Sequence, residues 1–108
     1  MFYVQQAIEY AAQNEVLMVH AAGNDGANID SVANYPSPII SDGSSSPYLI
    51  TVGASGWQGV NELAASFSNY GASTVDLFAP GVDIYSTMPN QEYELSNGTS
   101  MAAPAVSR

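Results

Sequence analysis

A run of four apolar residues, Val16-Leu17-Met18-Val19, follows a segment of helical periodicity, and this pairing constrains the fold more than any other feature. Val4, Ala7, Ile8, Ala11 and Ala12 repeat at i, i+3 and i+4, with Gln5, Gln6 and Glu9 on the other side, which predicts an amphipathic helix. Asn14 tolerates the left-handed backbone that ends a helix and is the expected stop. A short strand without polar alternation is one covered on both faces, as parallel strands are. Tyr48–Gly53 predicts a second strand, and Ser66–Ser68, Val75–Phe78 and Val82–Ser86 are shorter candidates. Gly26–Ser46, rich in Ser, Asn, Asp, Pro and Gly, reads as loop. Small residues after Gly98 mark a helix start over Thr99–Arg108. The order helix–strand–loop–strand predicts an α/β fold with a largely parallel sheet. No repeat or linker divides the 108 residues, a length that suits one domain.

Charge narrows the partners. Ten acidic side chains against one basic give a net charge of −9, which argues against nucleic acid and against an anionic membrane surface. Arg108, the single cation, is the last residue. Charged residues make up 10% of the chain against roughly 25% in an average soluble domain. Either the surface is built from uncharged Ser and Asn, or much of the chain is interior to something larger. The absence of cysteine excludes disulfides and thiolate metal sites without selecting a compartment. No apolar run approaches a membrane span, and Met1–Tyr10 lacks the basic start and apolar stretch of a signal peptide.

Two segments carry chemistry. In Asn97-Gly98-Thr99-Ser100-Met101-Ala102-Ala103-Pro104, a hydroxyl in the first turn of a helix faces unpaired N–H groups and the positive end of the helix dipole. Both favour the oxyanion formed when a serine attacks a carbonyl. Gly98 permits a sharp turn and keeps side chains away from a substrate, and Pro104 is expected in the tolerant first turn. Taken alone, Thr99 or Ser100 reads as an N-cap and Asn97-Gly98 as a hairpin turn. The second segment is Ala21-Ala22-Gly23-Asn24, whose asparagine, alone, reads as a turn cap beside Asp25-Gly26.

Together and in this order, the two segments resemble the subtilisin-like serine peptidases, whose nucleophile sits in a Gly-Thr-Ser-Met-Ala-x-Pro motif and whose oxyanion-hole asparagine ends a strand. Ser66-Phe67-Ser68-Asn69-Tyr70-Gly71 and Phe78-Ala79-Pro80-Gly81-Val82-Asp83-Ile84 resemble further segments of that family, so the likeness runs from Val4 to the end. Tyr35-Pro36 falls where subtilisins often carry a Tyr-Pro, sometimes cis, near the specificity pocket.

The resemblance implies a doubly wound, mostly parallel sheet of subtilisin type. It implies Ser100 as nucleophile and Asn24 as an oxyanion donor beside the Ser100 N–H, with Ala21, Ala22, Gly23, Gly98 and Thr99 meeting substrate. The implied reaction is endopeptidase cleavage of protein or peptide through an acyl-enzyme, with no nucleic acid or membrane partner. Losing the asparagine donor costs roughly 100- to 1000-fold in turnover, a figure that itself comes from a subtilisin. The family's base lies in a His-Gly-Thr-His segment and its orienting carboxylate in an Asp-Ser-Gly or Asp-Thr-Gly segment; neither occurs here, and Ala105 stands where many relatives have His.

Residues 1–108 are therefore expected to be the later part of a catalytic domain, cut at both ends, whose partner is the remainder of that domain. The isolated chain is expected to be inactive, and His20, four residues before Asn24, is not expected to be the base. Secretion or a cell-envelope location follows from the resemblance alone. No cofactor is required, and the resemblance allows calcium in the intact protein. Asp25, Asp30 and Asp42 lack EF-hand spacing and read as solvated loop acids, and Asp76 lies near a position where some subtilisins bind a weak cation. The alternative from another class is a non-catalytic α/β binding or structural domain that retains the scaffold.

Overall fold

In a computed structural model that describes residues 2–57 and 63–108, helix α1 (Phe2–Gln13) leads into strand β1 (Met18–Ala21). The helix ends in a Schellman motif: the N–H of Val16 donates to the Ala11 carbonyl and that of Glu15 to the Ala12 carbonyl. Glu15, not Asn14, takes the left-handed conformation, at φ 58°. This cap also moves the strand start. Val16 has committed its N–H to the helix and cannot join the ladder, so pairing begins at Met18 rather than Val16.

After a long irregular excursion the chain returns as β2 (Leu49–Ser55), followed by β3 (Leu77–Pro80), β4 (Ile84–Met88), a single turn at Pro89–Gln91, β5 (Glu92–Ser96) and α2 (Thr99–Ser107). Strands β1, β2 and β3 form a parallel sheet in that order, with His20 opposite Thr51 and Gly53 opposite Phe78. The α/β class and the parallel sheet are as the sequence predicts. Ser66–Ser68 forms no strand; the Ser68 N–H donates to the Ala65 carbonyl in a turn. The Val82–Ser86 candidate becomes β4, which pairs antiparallel with β5 in a hairpin that the sequence reading missed.

Side chains alternate across the sheet. Val52, Ala54, Ala79, Ala102 and Ala103 form the buried cluster, with Val19, Ala21 and Ile50 packed against it, so α2 covers that face. His20 and Thr51 point the other way, into a cleft of about 300 Å³ walled by residues of the 29–39 excursion. Helix α1 docks on the same excursion: Gln5 Nε2 donates to the Ile39 carbonyl and Glu9 accepts from the Ser41 N–H. The Tyr35-Pro36 peptide is cis. Pro104 is the sixth residue of α2, past the first turn, and its missing N–H leaves the Ser100 carbonyl without its usual helical donor.

Among the described residues five of the nine buried apolar side chains are alanines, which remove little area from water. Val16 and Leu17 remain exposed, and among the described residues β1 and β3 each have a strand on one side only. The isolated chain is therefore expected to melt without a sharp cooperative transition, as followed by circular dichroism and amide NMR dispersion. A steep transition with dispersed amide signals would contradict this.

Candidate active site

The carboxyl ends of parallel strands are where open α/β sheets place their sites. Here β1 ends at Ala21 and the chain turns away through Ala22, Gly23 and Asn24. Gly23 has φ 102°, and a Cβ there would lie 2.5 Å from Asn69 Nδ2, so both conformation and space demand glycine. The alanine face of α2 lets that helix settle closely on the sheet, bringing its first turn to the end of β1.

Thr99 ties the two segments. Its N–H donates to Asn24 Oδ1 at 2.9 Å, and its hydroxyl lies 3.0 Å from the same oxygen. That hydroxyl in turn accepts from the Gly23 N–H at 3.1 Å. Asn24 thus caps α2 from 75 residues away, standing in for the missing cap at Gly98, which has no side chain to offer. Because Asn24 Oδ1 faces two donors, the amide orientation is fixed and Nδ2 is turned outward.

The position where a Cβ on Gly98 would stand is 3.6 Å from Asn24 Nδ2 and 3.7 Å from the Ser100 nitrogen. Among the described residues neither nitrogen donates to an acceptor outside α2. Gly98 itself adopts φ 148°, a conformation that favours glycine. Two donors therefore flank one space beside the exposed Ser100, and the lack of a side chain at residue 98 keeps that space open.

The remaining residues singled out from sequence are placed as follows. Ala22 and Thr99 are fully buried, Ala21 and Gly23 half-buried, and Gly98 buried. His20 lies on the face of the sheet away from α2; burial lowers its pKa, with the Tyr35 backbone opposing, and its Nδ1 is buried without a hydrogen-bond partner. The Asp30 carboxylate accepts from the Thr74 hydroxyl and from the Ser73 and Thr74 N–H groups, which hold its pKa down. Asp42 is likewise held down by the Ser44 hydroxyl and N–H, and Asp76 accepts from the Thr51 N–H. Among the described residues no three histidine, aspartate or glutamate side chains are grouped so that they could hold a metal ion.

Sequence reasoning gave no role to Asn69, which is 2% exposed, or to Asn34, yet both donate to the Ala22 carbonyl, at 2.9 and 3.0 Å. Asn97, which opens the Ser100 motif, has a structural task that its sequence context does not show: its Oδ1 accepts from the Asp83 N–H at 2.7 Å and holds the hairpin to the approach to Gly98.

A fold with its site at the end of β1 and the start of α2 defines a class, and comparison identifies it. Residues 3–108 match the Subtilase family model. The chain is 41% identical over 103 residues to Subtilisin BL of Lederbergia lenta, covering 95% of this chain and 33% of that protein. It is 43% identical over 103 residues to Subtilisin-like protease 12 of Arthroderma gypseum, covering 95% of this chain and 23% of that protein. The structure of the Prenylagaramide maturation protease PagA superposes with a TM-score of 0.78 at 32% identity, over 99% of this chain and 35% of that one. The chain belongs to the subtilase family, and it spans about a third of the length of the first of these relatives.

Thr99→Val keeps the shape and removes the hydroxyl, leaving the Gly23 N–H without its acceptor. In a complete domain carrying this segment the substitution is expected to cost about 1–3 kcal/mol. The readout is a lower denaturant midpoint at unchanged slope.

Proposed function

We propose that this segment supplies the nucleophile and oxyanion hole of a subtilisin-type serine endopeptidase, with Ser100 attacking a peptide carbonyl. The observation that carries the reading is the pair of outward donors, Asn24 Nδ2 and the Ser100 N–H, flanking one space beside an exposed serine. As Ser100 Oγ bonds to the carbonyl carbon, its proton passes to an imidazole base and negative charge develops on the carbonyl oxygen. The two donors meet that charge, already oriented. The base returns the proton to the leaving amine, and water then hydrolyses the acyl-enzyme. A hydroxyl, an imidazole and N–H donors suffice for this sequence, which calls on no cofactor.

The imidazole must come from outside these residues. His20 is separated from Ser100 by the sheet itself, whereas a general base needs to lie within about 3 Å, directly or through one water. With Ala22 and Thr99 buried, contact with a bound peptide falls to backbone atoms around Gly23 and Gly98 and to the half-buried Ala21. Substrates are proteins or peptides. The reading extends to action outside the cytoplasm, on kinship with the subtilisins; among the described residues no helix is long and apolar enough to cross a membrane.

In the complete enzyme Ser100→Ala is expected to remove covalent turnover. Asn24→Ala is expected to lower kcat roughly 100- to 1000-fold with little change in KM, because Asn24 meets charge present only in the transition state. A raised KM at unchanged kcat would sink the oxyanion assignment. The isolated chain is expected to take up no serine-directed fluorophosphonate at Ser100, as read by mass spectrometry. Stoichiometric labelling that is lost in His20→Ala would overturn the assignment of the base to residues outside this chain.

A further inference from the structure

Asn24 can serve only if its backbone is held, and one buried side chain does most of the holding. The Asn69 Nδ2 donates to the Ala22 carbonyl at 2.9 Å, and its Oδ1 accepts from the Asp25 N–H at 3.0 Å and the Ala27 N–H at 2.9 Å. Its backbone N–H donates to the Gly23 carbonyl at 2.9 Å. These four bonds fall on both sides of Asn24 and include the peptide groups next to it. Asn69 is anchored in turn: the Ser68 hydroxyl donates to the Asn69 carbonyl and accepts from the Ala54 N–H in β2, both at 2.9 Å. The line from β2 through Ser68 and Asn69 to the 22–27 turn is thus continuous, and Gly23 must lack a Cβ for Asn69 to fit.

We infer that Asn69 is a positioning residue for the oxyanion hole, fixing the backbone of Asn24 from beneath as Thr99 fixes its side chain from the side. The inference rests on the peptidase reading above and deepens it. Asn69 is 2% exposed and touches no substrate, so its whole effect passes through residues 22–27. An amide suits the post: it offers a donor to a carbonyl and an acceptor to two N–H groups from one planar group. Alanine keeps none of the side-chain bonds. Aspartate keeps the acceptors but sets a carboxylate oxygen against the Ala22 carbonyl, where the native amide donates.

The test is a double-mutant cycle on the complete enzyme, with kcat and KM on a peptide substrate and melting temperature measured together. Asn69→Ala is expected to lower kcat about 10- to 100-fold with KM within about twofold, the scale on which small misplacements of a catalytic group act. In an Asn24→Ala background, Asn69→Ala should cost no more than about threefold further, because the group it positions is gone. Should Asn69→Ala fail to fold, Asn69→Asp carries the same comparison. Equal losses in both backgrounds, or a KM effect at unchanged kcat, would show Asn69 to be merely structural and would overturn the inference. A parent enzyme that neither cleaves peptide nor labels at Ser100 would remove the peptidase reading and this inference with it, a failure visible before any variant is made.

Discussion

The pair of contacts from Thr99 to Asn24 Oδ1 joins segments 75 residues apart, and the other features of the site follow from it. A helix start leaves N–H groups without partners. At α2 the first of these is satisfied by a side chain from the end of β1, while the next, at Ser100, is left facing outward. The same bond decides which way the Asn24 amide points, since only its oxygen can face two donors. One interaction therefore docks the helix on the sheet, orients the amide and aims two donors at a common space. The price is a requirement for bare backbone at Gly23, where conformation and crowding both exclude a side chain, and at Gly98, where the positive φ favours glycine.

The site was far more legible than its supports. Ser100 and Asn24 stand in contiguous motifs whose residue types are dictated by local chemistry, so the text shows them directly. Asn69 is different. An asparagine that bridges four peptide groups of a distant turn reads, in sequence, like any asparagine in a polar stretch, because the bonds that define it span more than forty residues. Asn34 and Asn97 are hidden for the same reason.

The fold shows a similar division. The helix is legible from its periodicity, and the first strand from an apolar run without alternation. Strand edges were displaced where hydrogen bonding rather than hydrophobicity decides them, as at Val16, whose N–H closes the α1 cap. The β4–β5 hairpin escaped notice although Glu92-Tyr93-Glu94-Leu95 alternates as a strand should, because residues after Ser86 carried no continuous apolar run. Its Tyr85 and Tyr93 stack across the strands at 5.6 Å on an exposed face, a diagonal contact that only the register makes visible.

The seam between α2 and the sheet sets what this part of the molecule can become. Ala54, Ala79, Ala102 and Ala103 meet there, and the Gly98 N–H reaches the Gly81 carbonyl at 2.8 Å across the same junction. A Cβ on Gly81 would stand 2.6 Å from that of Ala54 and 2.7 Å from the Gly98 oxygen. Enlarging any of these residues pushes the helix outward and carries Ser100 with it, since the serine rides two residues ahead of Ala102 on the same rigid rod. Diversification is thereby channelled to the rim. The exposed face of the β4–β5 hairpin, where Tyr85 and Tyr93 stand in solvent, can change chemistry without entering the seam, whereas the seam admits only substitutions that stay small. A lineage, or an engineer, exploring new selectivity with this framework will find its freedom at the periphery and a nearly frozen centre.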